Sequence, residues 1–173
     1  MPTPPGAHLV VVDADPASDA VQGALARYFA ELTEVFGRPF SPAVPSAVEA
    51  ARYAPPHGAC LVARLDDRVV GTASLTPLAP RDDEDPDLSV GEVKRMWVDP
   101  DVRGHGVGRA LLEALEARAR ALGTELLRLD TNGALTAALG LYERAGYVHV
   151  PRYNDNPHAT HFLERRIAGE HRA

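Results

Sequence analysis

The sequence predicts one α/β domain in which about four helices are interspersed among about seven strands. Its 173 residues, 45% apolar and 24% charged, fall in the range of a single soluble domain with a real core. Apolar or alternating runs bounded by turn residues recur as "HLVVVDA", "ACLVARL", "VVGTASL", "VGEVKRMWV", "ELLRLDT", "YVHV" and "HFLERRI". Segments with helical spacing interrupt them, giving the order β, α, α, three strands, α, β, α, β, β. The chain shows no internal repeat, so residues 8–168 read as one domain between a flexible, proline-bearing tail at 1–7 and a short tail at 169–173.

In chain order, "HLVVVDA" is a short strand, and Asp15-Pro16 reads as an N-cap followed by proline at the first helical position. Val21, Ala24, Leu25, Tyr28, Phe29 and Leu32 then recur on one face of an amphipathic helix. The segment "GRPFSPAVPSA" is a proline-punctuated loop, with a short helix expected over 46–53. Two strands follow as a hairpin around Asp66-Asp67-Arg68, then an acidic, proline-rich loop over 77–88. After the strand "VGEVKRMWV", a helix places Val107, Ala110, Leu111, Ala114, Leu115 and Leu122 on one face and ends at Gly123. A strand, a helix over 135–145 stopped by Gly146, and two final strands complete the chain.

Composition narrows the function. A formal net charge of -6 disfavours nonspecific binding to nucleic acid or anionic membrane and favours a cationic or neutral substrate. No apolar run approaches the roughly 18 residues of a membrane span, and "MPTPPGAH" lacks the features of a signal peptide, so a cytoplasmic protein is expected. The single cysteine, Cys60, sits within an apolar strand and reads as a packed thiol. His158 and His161 match no zinc motif, so no metal is expected.

The segment carrying chemistry is "RGHGVG", where glycines alternate directly before a helix. Such a loop lets backbone approach a ligand closely and presents helix N-terminal amides to an anion, with Arg103 and Arg109 as added positive charge. A nucleotide P-loop would need a lysine followed by Ser or Thr after its last glycine, and none is present. A dinucleotide fingerprint would need different glycine spacing and an N-terminal βαβ setting. A plain strand-to-helix turn would not need three glycines and two arginines.

The stretch "KRMWVDPDVRGHGVGRALLEALEARA" resembles the acyl-CoA-binding motif of the GNAT superfamily of N-acetyltransferases, R/Q-x-x-G-x-G/A, with Arg103, Gly106 and Gly108 in the signature positions. A later piece, "AALGLYERAGYV", resembles the family's A-x-x-L-Y-x-x-x-G-F/Y segment. The resemblance implies a mixed, mostly antiparallel sheet splayed at its fourth and fifth strands. It implies acetyl-CoA as co-substrate, its pyrophosphate on the backbone of Arg103, Gly104, His105, Gly106, Val107 and Gly108 beside Arg109, and its pantetheine arm along Met96, Trp97 and Val98.

It further implies Tyr142 near the CoA sulfur as general acid, and Glu92, four residues before Met96, as candidate base. The bland readings are a tyrosine packed with Leu135, Ala138 and Leu139, and a surface partner of Lys94; strand alternation puts Glu92, Lys94 and Met96 on one face. Deprotonation through water remains an alternative to Glu92. Leu135 stands where the family often has asparagine, leaving Asn132 to contact the CoA arm. In "VPRYNDNPHATHF", Arg152 and Asp155 are candidates for a substrate carboxylate and ammonium, within what otherwise reads as an Asx-type turn.

The expected activity is acetyl transfer to a primary amine of a small molecule, by direct transfer in a ternary complex. Acetylation of a peptide or protein N-terminus or lysine is a second reading. A CoA-binding sensor without turnover is a third, and a homodimer is compatible with all of them.

Overall fold

The computed structural model describes residues 8–40 and 50–167. The expected tails, and residues 46–49 of the short helix expected over 46–53, lie outside these residues. The described strands are β1 Leu9–Asp13, β2 Ala59–Leu65, β3 Arg68–Leu78, β4 Val90–Val98, β5 Leu126–Thr131, β6 Val148–His149 and β7 His161–Arg166. The described helices are α1 Asp19–Phe36, α2 Val107–Ala121 and α3 Thr136–Arg144, with a 3-10 turn at Pro100–Val102. The fourth expected helix, over 46–53, is described only at its end, where Ala50 and Ala51 are helical.

One seven-stranded sheet has the order β1-β2-β3-β4-β5-β7-β6. Its pairs are antiparallel except β4 and β5, which are parallel and joined through α2, the crossover that parallel neighbours require. That pairing runs only from Val90↔Leu126 to Glu92↔Arg128. Beyond it the two strands diverge, so the second half of β4 and the end of β5 have no partner in each other. This is the splay.

The sheet has two covered faces. On one, Val107, Leu111, Leu112, Leu115 and Ala119 of α2 pack with Leu61, Ala73, Leu75, Val93, Leu127 and Leu163, the inward residues of five strands. On the other, Val21 and Leu25 of α1 pack with Cys60 and Val62. Cys60 is buried, as its apolar context predicts. Leu122, expected on the core face of α2, instead terminates the helix and is exposed.

Two local expectations are corrected. Asp15 does not cap α1: its carboxylate accepts from the Ala17 amide in a preceding turn, and Ser18 caps the helix by accepting from Val21. Proline at 16 therefore sits in the turn, not in the helix. In β4 the alternation breaks at Arg95, which has φ +54, where the β3–β4 register shifts between Thr72 and Ser74. Glu92 and Lys94 stay on the α1 face, while Met96 and Val98 turn to pack against the α2 core. Glu92 and Met96 do not share a face.

Candidate active site

The glycine loop follows from the turn before it. Asp99 accepts from the Asp101 amide and is buried between Arg27 at 2.9 Å and Arg68 at 2.5 Å, fixing the exit of β4. Gly104 and Gly106 then take φ +79 and +82, which residues with a Cβ rarely adopt. The ring of His105 folds back to the Arg103 carbonyl at 2.9 Å, and Val107 is buried in the core. A methyl group built on Gly104 or Gly106 would meet no atom within 4 Å, whereas one on Gly108 would meet Leu141 at 3.2 Å. The loop is therefore open on its outer side and tight where it supports α2.

Helix α2 begins at Gly106 with no side-chain cap and no acidic residue in its first turn. The amides of that turn have no acceptor within the helix, so this end suits an anion. Helix α3 likewise starts without a side-chain cap or an acidic first turn.

Both helix starts open on one cleft of about 950 Å³. Met96, Trp97, Val98, Arg103, Gly104, Gly106, Gly108 and Arg109 line it, together with Leu135 and Ala138. Its walls come from both faces of the sheet: Leu112 of α2 and Leu141 of α3 on one, Tyr28, Glu31 and Val35 of α1 on the other. The cleft thus passes through the splay.

Of the candidates outside that lining, Tyr142 is buried, packs edge-on to Tyr147 at 5.8 Å, and its hydroxyl has no hydrogen-bond partner among the described residues. Burial pushes its phenol well above the usual range, with Tyr28 and the Asp130 carboxylate adding to the shift. Tyr28, from α1, is raised to about 12 by burial and by the charges of Asp130 and Glu31. Both are protonated at neutral pH.

Glu92 is buried on the α1 face. Its Oε1 accepts from the Tyr153 hydroxyl at 3.0 Å and lies 3.0 Å from Lys94 Nζ. Lys94 Nζ is also 3.6 Å from Asp130 on β5. Burial lowers the Lys94 pKa, but the two carboxylates outweigh it and the ammonium is held above its usual value. Arg128, beside Glu92, is fully buried and paired with Glu84 and Glu164.

The remaining candidates serve the chain itself. Asn132 donates to the His158 carbonyl at 2.7 Å and accepts from the Ala134 amide at 2.9 Å, so both ends of its side chain are engaged. Arg152 donates to the carbonyls of Asn154, Asn156 and Ala159 and stacks on Phe162, ordering the loop between β6 and β7. Asp155 is exposed, and it is Asp130 that takes Asn154 and Asn156. Arg109 pairs with Glu113 one helical turn on.

Sequence reasoning missed Tyr28, Glu31, Asp130 and Tyr153. Tyr28 was visible only as a core-face aromatic and Asp130 only as the polar phase of a strand. Nothing in the sequence linked Tyr153 to Glu92 across 61 positions.

Residues 29–147 match the Acetyltransferase (GNAT) family. An IAA acetyltransferase of Azospirillum brasilense is 32% identical over 127 residues, 73% of this chain and 78% of that protein. Among solved structures, one assigned as an acyl-CoA N-acyltransferase of Klebsiella pneumoniae superposes with a TM-score of 0.68 at 26% identity, covering 92% of this chain and 97% of that one. The N-acetylglutamate synthase of Neisseria gonorrhoeae, complexed with coenzyme A and N-acetyl-glutamate, shares the fold with a TM-score of 0.66 at 19% identity over 93% of this chain and 35% of its own. With its splayed sheet, open glycine loop and through-going cleft, the chain belongs to the GNAT family of acetyltransferases and is an acyltransferase.

Proposed function

We propose that the protein transfers an acetyl group from acetyl-CoA to a primary amine of a small molecule, by direct attack in a ternary complex. The observation that carries this is the cleft with walls on both faces of the sheet. Such a cleft lets donor and acceptor enter from opposite sides and meet at the splay without an acyl-enzyme intermediate.

On the donor side, the uncapped start of α2 and the open backbone from Arg103 to Gly108 fit a pyrophosphate. The half of β4 that has lost β5 offers Met96, Trp97 and Val98 as a strand edge for the pantetheine arm. The Val98 amide is the donor we assign to the developing oxyanion. Acetyl-CoA supplies the thioester carbonyl, and the chain supplies position and protons.

On the acceptor side, the pairing of Glu92 and Asp130 with the Lys94 ammonium supports a surrounding that suits a cationic nitrogen. The acceptor must lose a proton before its nitrogen can attack, and Glu92 receives it directly or through water. Because Lys94 and Tyr153 both engage Oε1 of Glu92, that oxygen is already occupied, which favours the water route. The Tyr142 hydroxyl, protonated and without a hydrogen-bond partner among the described residues, gives its proton to the departing thiolate.

The test is release of free CoA thiol from acetyl-CoA across a panel of small amines, amino acids and N-terminal peptides. Turnover of a small amine through intersecting, sequential kinetics is the expected result. Parallel, ping-pong kinetics would overturn direct transfer, and turnover confined to peptides would overturn the small-molecule acceptor.

A further inference from the structure

Arg103 occupies the signature position of the glycine loop, where its charge is expected to serve the pyrophosphate. In the fold it points elsewhere. Its Nη2 lies 2.7 Å from each carboxylate oxygen of Glu31, and its Nε donates to the Val98 carbonyl at 3.0 Å. A guanidinium so placed is neutralised within the protein and ties the loop to the end of β4. The same carboxylate accepts the indole N–H of Trp97 at 2.8 Å.

Glu31 therefore holds two points of the cradle from α1, on the opposite face of the sheet from the core that α2 covers. One helical turn earlier, Arg27 lies over the Trp97 ring at 4.8 Å and pairs with Asp99 at 2.9 Å. Trp97, Asp99 and Arg103 are successive fixed points on the path from β4 to the loop, and α1 grips all three. The Glu31 and Arg103 side chains are only 22% and 37% exposed, so solvent weakens the pair less than on an open surface.

We propose that Glu31 is a positioning residue for the coenzyme A cradle: through Trp97 and Arg103 it sets where the strand edge and the loop amides stand relative to each other. This rests on the acetyl-CoA reading above. The proposal has a definite sign. A carboxylate near a polyphosphate site that acted only through its charge would repel CoA, and its removal would tighten binding. A carboxylate that positions the cradle does the reverse.

The experiment uses the full chain with CoA as probe, followed by calorimetry, by acetyl-CoA kinetics and by the emission of Trp97, the only tryptophan in the sequence. Glu31→Leu and Arg103→Met should each weaken CoA binding about tenfold, and the double variant no more than either alone. KM for acetyl-CoA should rise while kcat at saturation holds. Glu31→Gln, which keeps an acceptor for the indole, should recover part of the affinity and keep the wild-type emission, whereas Glu31→Leu should shift it; the glutamine variant also carries the test if the leucine variant does not fold. Unchanged or tighter CoA binding in folded Glu31 variants, or multiplying effects in the double variant, would overturn the proposal alone. Failure of the wild type to bind CoA would overturn the acetyl-CoA reading and this proposal with it.

Discussion

Helices α1 and α2 begin in opposite ways. The start of α1 is closed by its own chain: Ser18 accepts from the Val21 amide, and Asp19 puts negative charge in the first turn. The start of α2 has glycine at the cap, no capping side chain and no acid. Helix α3, which also opens on the cleft, is uncapped in the same way. A helix end that serves only the fold satisfies its own amides, whereas the two ends facing the cleft have no side-chain cap.

The sharpest way to break this contrast is to give α2 what α1 has. Gly106→Asp places a carboxylate at the cap, in competition with a pyrophosphate and on a backbone with φ +82. CoA binding should weaken about a hundredfold, read by calorimetry, a loss of about 2.7 kcal/mol. Retained affinity would remove the α2 terminus from the donor site.

Separating binding from chemistry sharpens it next. Tyr142→Phe removes the hydroxyl and leaves the cap geometry of α3 alone, so turnover should fall roughly thirtyfold, at the lower side of general-acid effects, with CoA affinity unchanged. The rise in the Tyr142 pKa also fixes a sign in pH: its acid form persists through neutral pH, so loss of this acid should not be what limits turnover on the alkaline side until well above the usual phenol range. Rates of the wild type and the phenylalanine variant across that range check both statements.

The smallest effect belongs to the closed helix. Ser18→Ala deletes the cap of α1 and should cost about 1 kcal/mol of stability in urea unfolding, with CoA binding untouched. A parallel loss of CoA affinity would show that the two helix starts are energetically joined.

Much of the molecule was legible because its signals are local. The strands, the amphipathic faces of α1 and α2, the loop glycines and the stop at Gly146 all follow from patterns a few residues long. The β4 bulge was not, because Arg95 carries no turn signature and its positive φ answers to the register imposed by β3. Strict alternation therefore misassigned Met96 from Arg95 onward. The start of α1 was misplaced because Asp15-Pro16 and Ser18-Asp19 offer rival caps three residues apart, and only packing chooses between them.

The sequence by itself determined the family, the order of the described elements and the open glycine loop, since the elements and the loop depend on backbone conformations that particular residues permit or forbid. Tertiary structure alone decided which distant side chains meet. Glu31 meets Arg103 across 72 positions, Tyr153 meets Glu92 across 61, and Asp130 comes to Lys94 from a neighbouring strand. The physical reason is that charges and hydroxyls find partners through space, at distances set by the twist and splay of the sheet, and no local pattern records where the sheet will bring them.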